Sequence, residues 1–94
     1  MAHETFQIDG QEADGYVIPL EQCNLVFVTK GNSLLACGAI DAMAMDKFAV
    51  PTAVVTGVST VHELLNGEVK TVNKAATERG AAPGESGRDA LAKL

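Results

Sequence analysis

Two nearly continuous apolar runs, at residues 25–28 and 34–37, form the clearest pattern in this chain. A short break containing Gly31 separates them, and such a break between two apolar runs predicts a β-hairpin. A strand with one face in water alternates apolar and polar residues, so these unbroken runs predict a hairpin that is covered on both faces. In all, four N-terminal strands are expected, at residues 5–9, 16–20, 24–29 and 33–37.

From Gly38 onwards the spacing of the apolar residues becomes helical, and Pro51 ends that first helix. The elements expected after it are a buried strand at 52–56, a helix capped by Ser59 or Thr60 that ends at Asn66, a helix at 68–79 that ends before Gly80, and a last helix from Ser86 to Leu94. The predicted fold class is therefore α+β. Antiparallel β-hairpins form an N-terminal sheet, and a helix, a strand and three helices follow and pack on it.

A chain of 94 residues is long enough for one modest domain, which we expect to span residues 1–94. Residues 1–37 are its β region and residues 38–94 its mainly helical region. Hydrophobic residues make up 47% of the chain, but aromatic residues only 4%, so the core is expected to consist of aliphatic side chains.

Charge excludes two classes of partner. The net charge is −5 and the seven basic residues are scattered, so neither nucleic acid nor an anionic membrane surface is expected to bind. No apolar stretch is long enough to span a membrane, and residues 1–4 do not begin a signal peptide. Two cysteines, Cys23 and Cys37, then indicate reduced thiols and a cytoplasmic location, with a disulfide between them as the alternative.

The central hairpin also predicts self-association. Helices of this length cover one face of a small sheet, and an exposed second face of Val, Leu and Phe would exceed the apolar patch that monomers usually tolerate. We therefore expect a homo-oligomer that forms through the β region with closed symmetry. The alternative is a monomer whose first two strands fold over the hairpin.

Three segments resemble one known family, the YunC-like family, a small bacterial and archaeal domain of unknown function. They are CGAID at residues 37–41, GVSTVHELL at residues 57–65 and GAAPGESGRDAL at residues 80–91. The resemblance implies that the N-terminal β region serves tetramerisation and that the helices lie behind it. It implies no enzymatic activity.

The junction at residues 37–41 is the first candidate site. Cys37 is predicted at a strand end beside a helix N-terminus, an environment that favours a thiolate, and Gly38 would let a ligand approach the backbone. Cys37 is thus a candidate nucleophile and Asp41 a candidate acid or base. The alternatives are that Cys37 is a small buried hydrophobic residue and that Asp41 caps the helix.

The loop at residues 84–88 is the second candidate site. Its glycines precede a helix, so its backbone N–H groups together with Ser86, Gly87 and Arg88 could bind an anion. The alternative is that Ser86 only caps the last helix. This loop is not a P-loop, because the Lys-Ser/Thr pair of that motif is absent.

No metal site and no cofactor are predicted. His62, the cysteines and Asp41 lack the spacing of metal ligands, and His3 is assigned no role. The leading hypothesis is a small cytoplasmic homotetramer with a small-molecule or anion pocket near Cys37 and Gly38. The second is a small enzyme that uses Cys37 or Asp41, and the third is a structural or adaptor protein without a site.

Overall fold

The computed structural model describes residues 2–94. Its elements in chain order are β1 (Ala2–Ile8), β2 (Gln11–Pro19), β3 (Asn24–Lys30), β4 (Ser33–Cys37), α1 (Ala42–Asp46), β5 (Thr52–Val55), α2 (Val61–Asn66), β6 (Thr71–Val72), α3 (Lys74–Glu78) and α4 (Gly87–Lys93). The predicted α+β class is confirmed. No helix within residues 2–94 has the length and apolar character needed to cross a bilayer.

The six strands form one sheet in the order of the sequence, β1 to β6. Neighbouring strands are antiparallel, except that β4 and β5 pair in parallel across the connection that contains α1. A parallel pair needs such a crossover because the chain must return to the same end of the sheet. The predicted entry of the fifth strand after a helical crossover is therefore confirmed.

The first turn fixes the register of β1 on β2. Asp9 and Gly10 both have positive φ, of 51° and 81°, which is the geometry of a two-residue type I′ hairpin turn. Such a turn matches the twist of the strands, and it places Ile8 opposite Gln11 and His3 opposite Tyr16. Side chains of directly paired residues then lie on the same face of the sheet.

One face of the sheet and helices α2–α4 enclose the core. Strand residues such as Val28, Leu35 and Val55 pack there against Leu64 and Leu91 of the helices, and each is at most 2% exposed. The core is thus built from aliphatic side chains, as the composition predicts.

The other face, which we call the open face, carries Tyr16, Ile18, Phe27 and Leu34. Tyr16 pairs with Phe27, and Phe27 pairs with Ala36, so they continue one row across β2, β3 and β4. All four open-face residues are half-buried, and none of them belongs to the core cluster or packs against it. Helices α2–α4 cover the opposite face of the hairpin, whereas on the open face the row ends at Ala36, which is itself fully buried.

The predicted helix at residues 68–79 is wrong in its first half. Thr71 and Val72 form β6, which pairs antiparallel with β5, and α3 begins only after Asn73. Hydrogen bonds from the Lys70 N–H to the Val54 carbonyl (2.8 Å) and from the Asn73 N–H to the Thr52 carbonyl (3.1 Å) hold this segment on the sheet. Pairing with a distant strand thus overrides the local helical spacing.

Candidate functional site

Cys37 lies at the end of β4 with its side chain in the core, where only 4% of the residue is exposed. The Val26 N–H of the neighbouring strand donates a weak hydrogen bond to its Sγ atom at 3.5 Å. Burial and this contact are typical of a free cysteine that serves as a small hydrophobic residue. Cys23, by contrast, is exposed, and both thiols are free, so the two cysteines form no disulfide.

Burial predicts the reactivity of the two thiols. In native protein, iodoacetamide is expected to label Cys23 readily and Cys37 at least about tenfold more slowly, because the reagent cannot reach a thiol inside the core. Mass spectrometry of the labelled peptides measures both rates, and labelling in denaturant serves as the control in which the rates converge. Faster labelling at Cys37 in native protein would instead support the nucleophile.

Asp41 is the N-cap of α1. Its Oδ1 atom accepts hydrogen bonds from the N–H groups of Met43 at 2.9 Å and of Ala44 at 3.4 Å, and the residue is exposed. Such a cap satisfies backbone donors that the first turn of a helix leaves free. The thiol of Cys37 therefore lies inside the core, whereas the carboxylate of Asp41 is held at the surface against α1.

Gly38 lies between them in an exposed turn. A Cβ atom at this position would lie 3.1 Å from the Cγ2 atom of Thr56, whose side chain is exposed. The chain therefore passes close to Thr56 here, and no ligand is needed to account for this approach.

Three backbone N–H groups around the second candidate loop donate their hydrogen bonds within the protein. The Gly84 N–H donates to the Val69 carbonyl and the Gly87 N–H to the Gly67 carbonyl, both at 2.9 Å. The Asp89 N–H donates to the Ser86 Oγ atom at 3.1 Å, so Ser86 is the N-cap of α4. These donors are already satisfied, which favours the capping interpretation of the loop.

A carboxylate in the same loop also opposes an anion. Burial raises the pKa of Glu85, but hydrogen bonds from the Lys93 ammonium and the Ala82 N–H outweigh that effect and lower the pKa overall. Glu85 is therefore ionised at neutral pH. Arg88 is exposed nearby and lines a surface cleft of about 300 Å3. Ile8, Asp9, Asp89 and Ala92 complete that lining, so two more carboxylates share the cleft with Arg88.

A polar cluster that the sequence did not reveal lies at one corner of the open face. The His3 Nε2 and Asp14 Oδ1 atoms are 3.0 Å apart, and the Thr5 hydroxyl donates to the same oxygen at 2.8 Å. The His3 ring also stacks on the Tyr16 ring. The signal that could have found it is the Asp-Gly turn at residues 9–10, because a two-residue loop fixes the opposing residues of β1 and β2.

The remaining histidine, His62, has its side-chain hydrogen bond within its own helix. His62 is exposed on α2, and its Nε2 atom lies 3.1 Å from the Asn66 Nδ2 atom one turn later. Within residues 2–94, no three His, Cys, Asp or Glu side chains converge in a way that could hold a metal ion. A second surface cleft, of about 270 Å3, lies beside β1, β2 and Val61 of α2, and neither cleft is lined by Cys37 or Asp41.

Comparison with known proteins identifies the family. Residues 36–94 match a family described as "Domain of unknown function (DUF1805)". The chain is also 30% identical over 91 residues to the uncharacterised protein YunC of Bacillus subtilis strain 168, an alignment that covers 93% of this chain and 90% of YunC. The chain therefore belongs to this family of unknown function, and the predicted YunC-like resemblance is confirmed.

A solved structure shares the fold. The crystal structure of a protein of unknown function, TA1206 from Thermoplasma acidophilum, matches with a TM-score of 0.92 and 22% sequence identity. The match covers 99% of this chain and 91% of TA1206. The names of these relatives assign them no activity.

Proposed function

We propose that this chain is a self-associating domain in which the open face of the sheet is covered by a second copy, within a homotetramer. The observation that carries the proposal is the half-buried apolar row on that face. Tyr16, Ile18, Phe27 and Leu34 stand outside the core cluster, on the side of the sheet opposite α2–α4. Apolar patches with a polar rim mark protein–protein contacts, and tyrosine and phenylalanine are enriched in them.

The rest of the open face fits the same role. Its polar groups, including His3, Thr5 and Asp14, lie together at the β1–β2 corner, so the centre of the face carries no charge. Interfaces typically combine such an apolar centre with a polar margin. A second copy presents the same surface, which closed two-fold symmetry requires. The resemblance to the YunC-like family, which implies tetramerisation through the N-terminal β region, supports the same assembly.

The proposal uses Cys37 and Asp41 as structural residues. Cys37 fills the core beneath β4, and Asp41 caps α1. The proposed location is the cytoplasm, where the free thiols of Cys23 and Cys37 would stay reduced.

Phe27 is the residue whose substitution tests the proposed interface. Phe27→Glu is expected to give monomers in light scattering after gel filtration, because a carboxylate in the centre of an apolar interface cannot be solvated. The matched control is His62→Glu, which places the same charge on an exposed position of α2. We expect that variant to assemble like the wild type. Circular dichroism checks that both variants are folded, and an unchanged mass for a folded Phe27→Glu protein would refute the proposed interface.

A further inference from the structure

The His3–Asp14 pair lies on the surface that the proposed second copy would cover. The distance of 3.0 Å between its Nε2 and Oδ1 atoms suits a charge-assisted hydrogen bond. The side chains are 45% and 32% exposed in the single chain, so water still reaches both groups. A second copy on the open face would reduce the access of water to this corner.

Aromatic stacking joins this pair to the apolar row. The rings of His3 and Tyr16 are parallel to within 7°, with centroids 4.6 Å apart, and the Tyr16 and Phe27 centroids are 5.0 Å apart. A protonated imidazole on the face of Tyr16 gains a favourable cation–π interaction. The charge state of His3 therefore affects the aromatic contacts at the edge of the proposed interface.

The charged groups near His3 on the open face are acidic. β2 is the strand that pairs with β1, and it brings Asp14 and the titratable phenol of Tyr16 against the imidazole. Glu12 is two residues before Asp14 and therefore on the same face. The open-face neighbours on β1, Thr5 and Gln7, carry no charge. Across β2 the imidazole therefore faces a carboxylate and a phenol, with no cation beside it within residues 2–94.

Asp14 supplies the other half of the argument. The hydrogen bond from His3, followed by that from Thr5, lowers the pKa of Asp14, so this carboxylate stays ionised well below neutral pH. A buried carboxylate needs a countercharge, since an unpaired charge is costly away from water. Protonated His3 supplies it, whereas neutral His3 leaves one net negative charge per copy in the interface.

We propose that self-association is coupled to proton uptake at His3, so that the assembly tightens as the pH falls from 8 to 6. This inference rests on the proposed function, because it concerns the same open face. Its sign follows from linkage: if the assembled state binds more protons than the free chain, lower pH favours assembly. The trend reverses only at acidic pH, where Asp14 itself becomes protonated and the ion pair is lost.

Sedimentation velocity at pH 8, 7 and 6 and constant ionic strength tests the coupling. We expect the dissociation constant of the face-to-face pair to fall by at least about tenfold from pH 8 to pH 6, because each pair carries two His3 side chains that take up protons on assembly. His3→Phe retains a stacking ring without a titratable group and is expected to assemble with no pH dependence in this range. His3→Gln provides a second variant that removes the titration. His62→Gln removes the exposed histidine of α2 and should keep the wild-type pH dependence.

Two results would overturn the inference while leaving the proposed interface in place. One is a wild-type assembly of equal strength at pH 6 and pH 8, and the other is a pH dependence that persists in both His3 variants. A wild-type protein that stays monomeric at every pH would overturn this inference and the proposed function together.

Discussion

Replacing Asn73 with alanine is expected to lower the free energy of unfolding by about 3–4 kcal/mol. Asn73 is fully buried, and both the oxygen and the nitrogen of its side-chain amide form hydrogen bonds. Its Oδ1 atom accepts hydrogen bonds from the N–H groups of Thr52 (3.0 Å) and Ala76 (2.9 Å), and its Nδ2 atom donates to the carbonyls of Ala42 (3.1 Å) and Val50 (2.8 Å). One amide therefore links α1, the start of β5 and the N-cap of α3.

The size of the effect follows from what the substitution leaves behind. Each buried donor or acceptor that loses its partner costs about 1–3 kcal/mol, and loss of an N-cap costs about 0.5–2 kcal/mol. Entry of water and local relaxation would recover part of that sum. The expected loss is therefore smaller than four full penalties, but it is still a large fraction of the stability of a small domain.

Urea unfolding followed by circular dichroism measures this loss. Asn66→Ala is the matched control, since Asn66 is exposed and its side chain forms hydrogen bonds to the ring and carbonyl of His62 one turn earlier. That variant is expected to change the free energy of unfolding by less than about 0.5 kcal/mol. A loss below about 1 kcal/mol for Asn73→Ala would contradict the role assigned to Asn73.

Gly87→Ala is expected to destabilise the protein by at least about 2 kcal/mol. A Cβ atom at Gly87 would lie 2.2 Å from the Leu64 carbonyl oxygen and 3.1 Å from the Leu35 Cδ2 atom. The nearer atom belongs to the backbone at the end of α2, so α4 would have to move away from α2 and lose the hydrogen bond between the Gly87 N–H and the Gly67 carbonyl. Because the clashing atom belongs to the backbone, the cost is expected to reach the upper end of the usual overpacking range, about 3 kcal/mol or more, against a gain of about 1 kcal/mol in helix propensity.

Gly38→Ala provides the comparison for this prediction. A Cβ atom at position 38 would lie 3.1 Å from the Thr56 Cγ2 atom, its nearest neighbour, and the exposed side chain of Thr56 can rotate away. Differential scanning calorimetry should therefore show a clearly lower Tm for Gly87→Ala and only a small change in Tm for Gly38→Ala. The free energy of unfolding of Gly38→Ala is expected to change by less than about 1 kcal/mol. Equal stability of the two variants would show that α4 does not depend on close approach to α2.

Elements with local signals were predictable from the sequence. β4 was placed at Ser33–Cys37, as the structure has it, because a glycine turn and a change of period bracket it. The caps of α2 and α4 are also local, since the Thr60 and Ser86 hydroxyls accept from N–H groups three residues later. Short-range geometry alone produces these features, so residue type and spacing are sufficient to find them.

Elements that depend on distant partners were not predictable in this way. Val69, Val72 and Ala76 recur at helical spacing, yet only Ala76 is in a helix. Val72 pairs with β5, and the backbone of Val69 is hydrogen-bonded to the loop at residues 84–85. The open face posed the same difficulty, because the contact of His3 with Asp14 exists only in one register of β1 on β2. Sequence spacing identifies residue types, whereas the register decides which of them meet.

The candidate site shows the same division. The sequence identified Cys37, Asp41 and Ser86 as residues that could take part in catalysis or binding. It also offered a structural interpretation of each. The fold favours those structural interpretations, because it buries the thiol, caps α1 with Asp41 and caps α4 with Ser86. Burial and hydrogen-bond partners arise from tertiary packing, and no local pattern specifies them.

The mass of the native particle tests the central claim most directly. Sedimentation velocity of the wild-type protein at micromolar concentration and pH 6–7 should give a species of four times the 9.8 kDa chain mass, or of twice that mass if the face-to-face pair is the stable unit. A single species of 9.8 kDa over the whole concentration range would mean that the apolar row on the sheet stays in water, and it would contradict the proposed self-association.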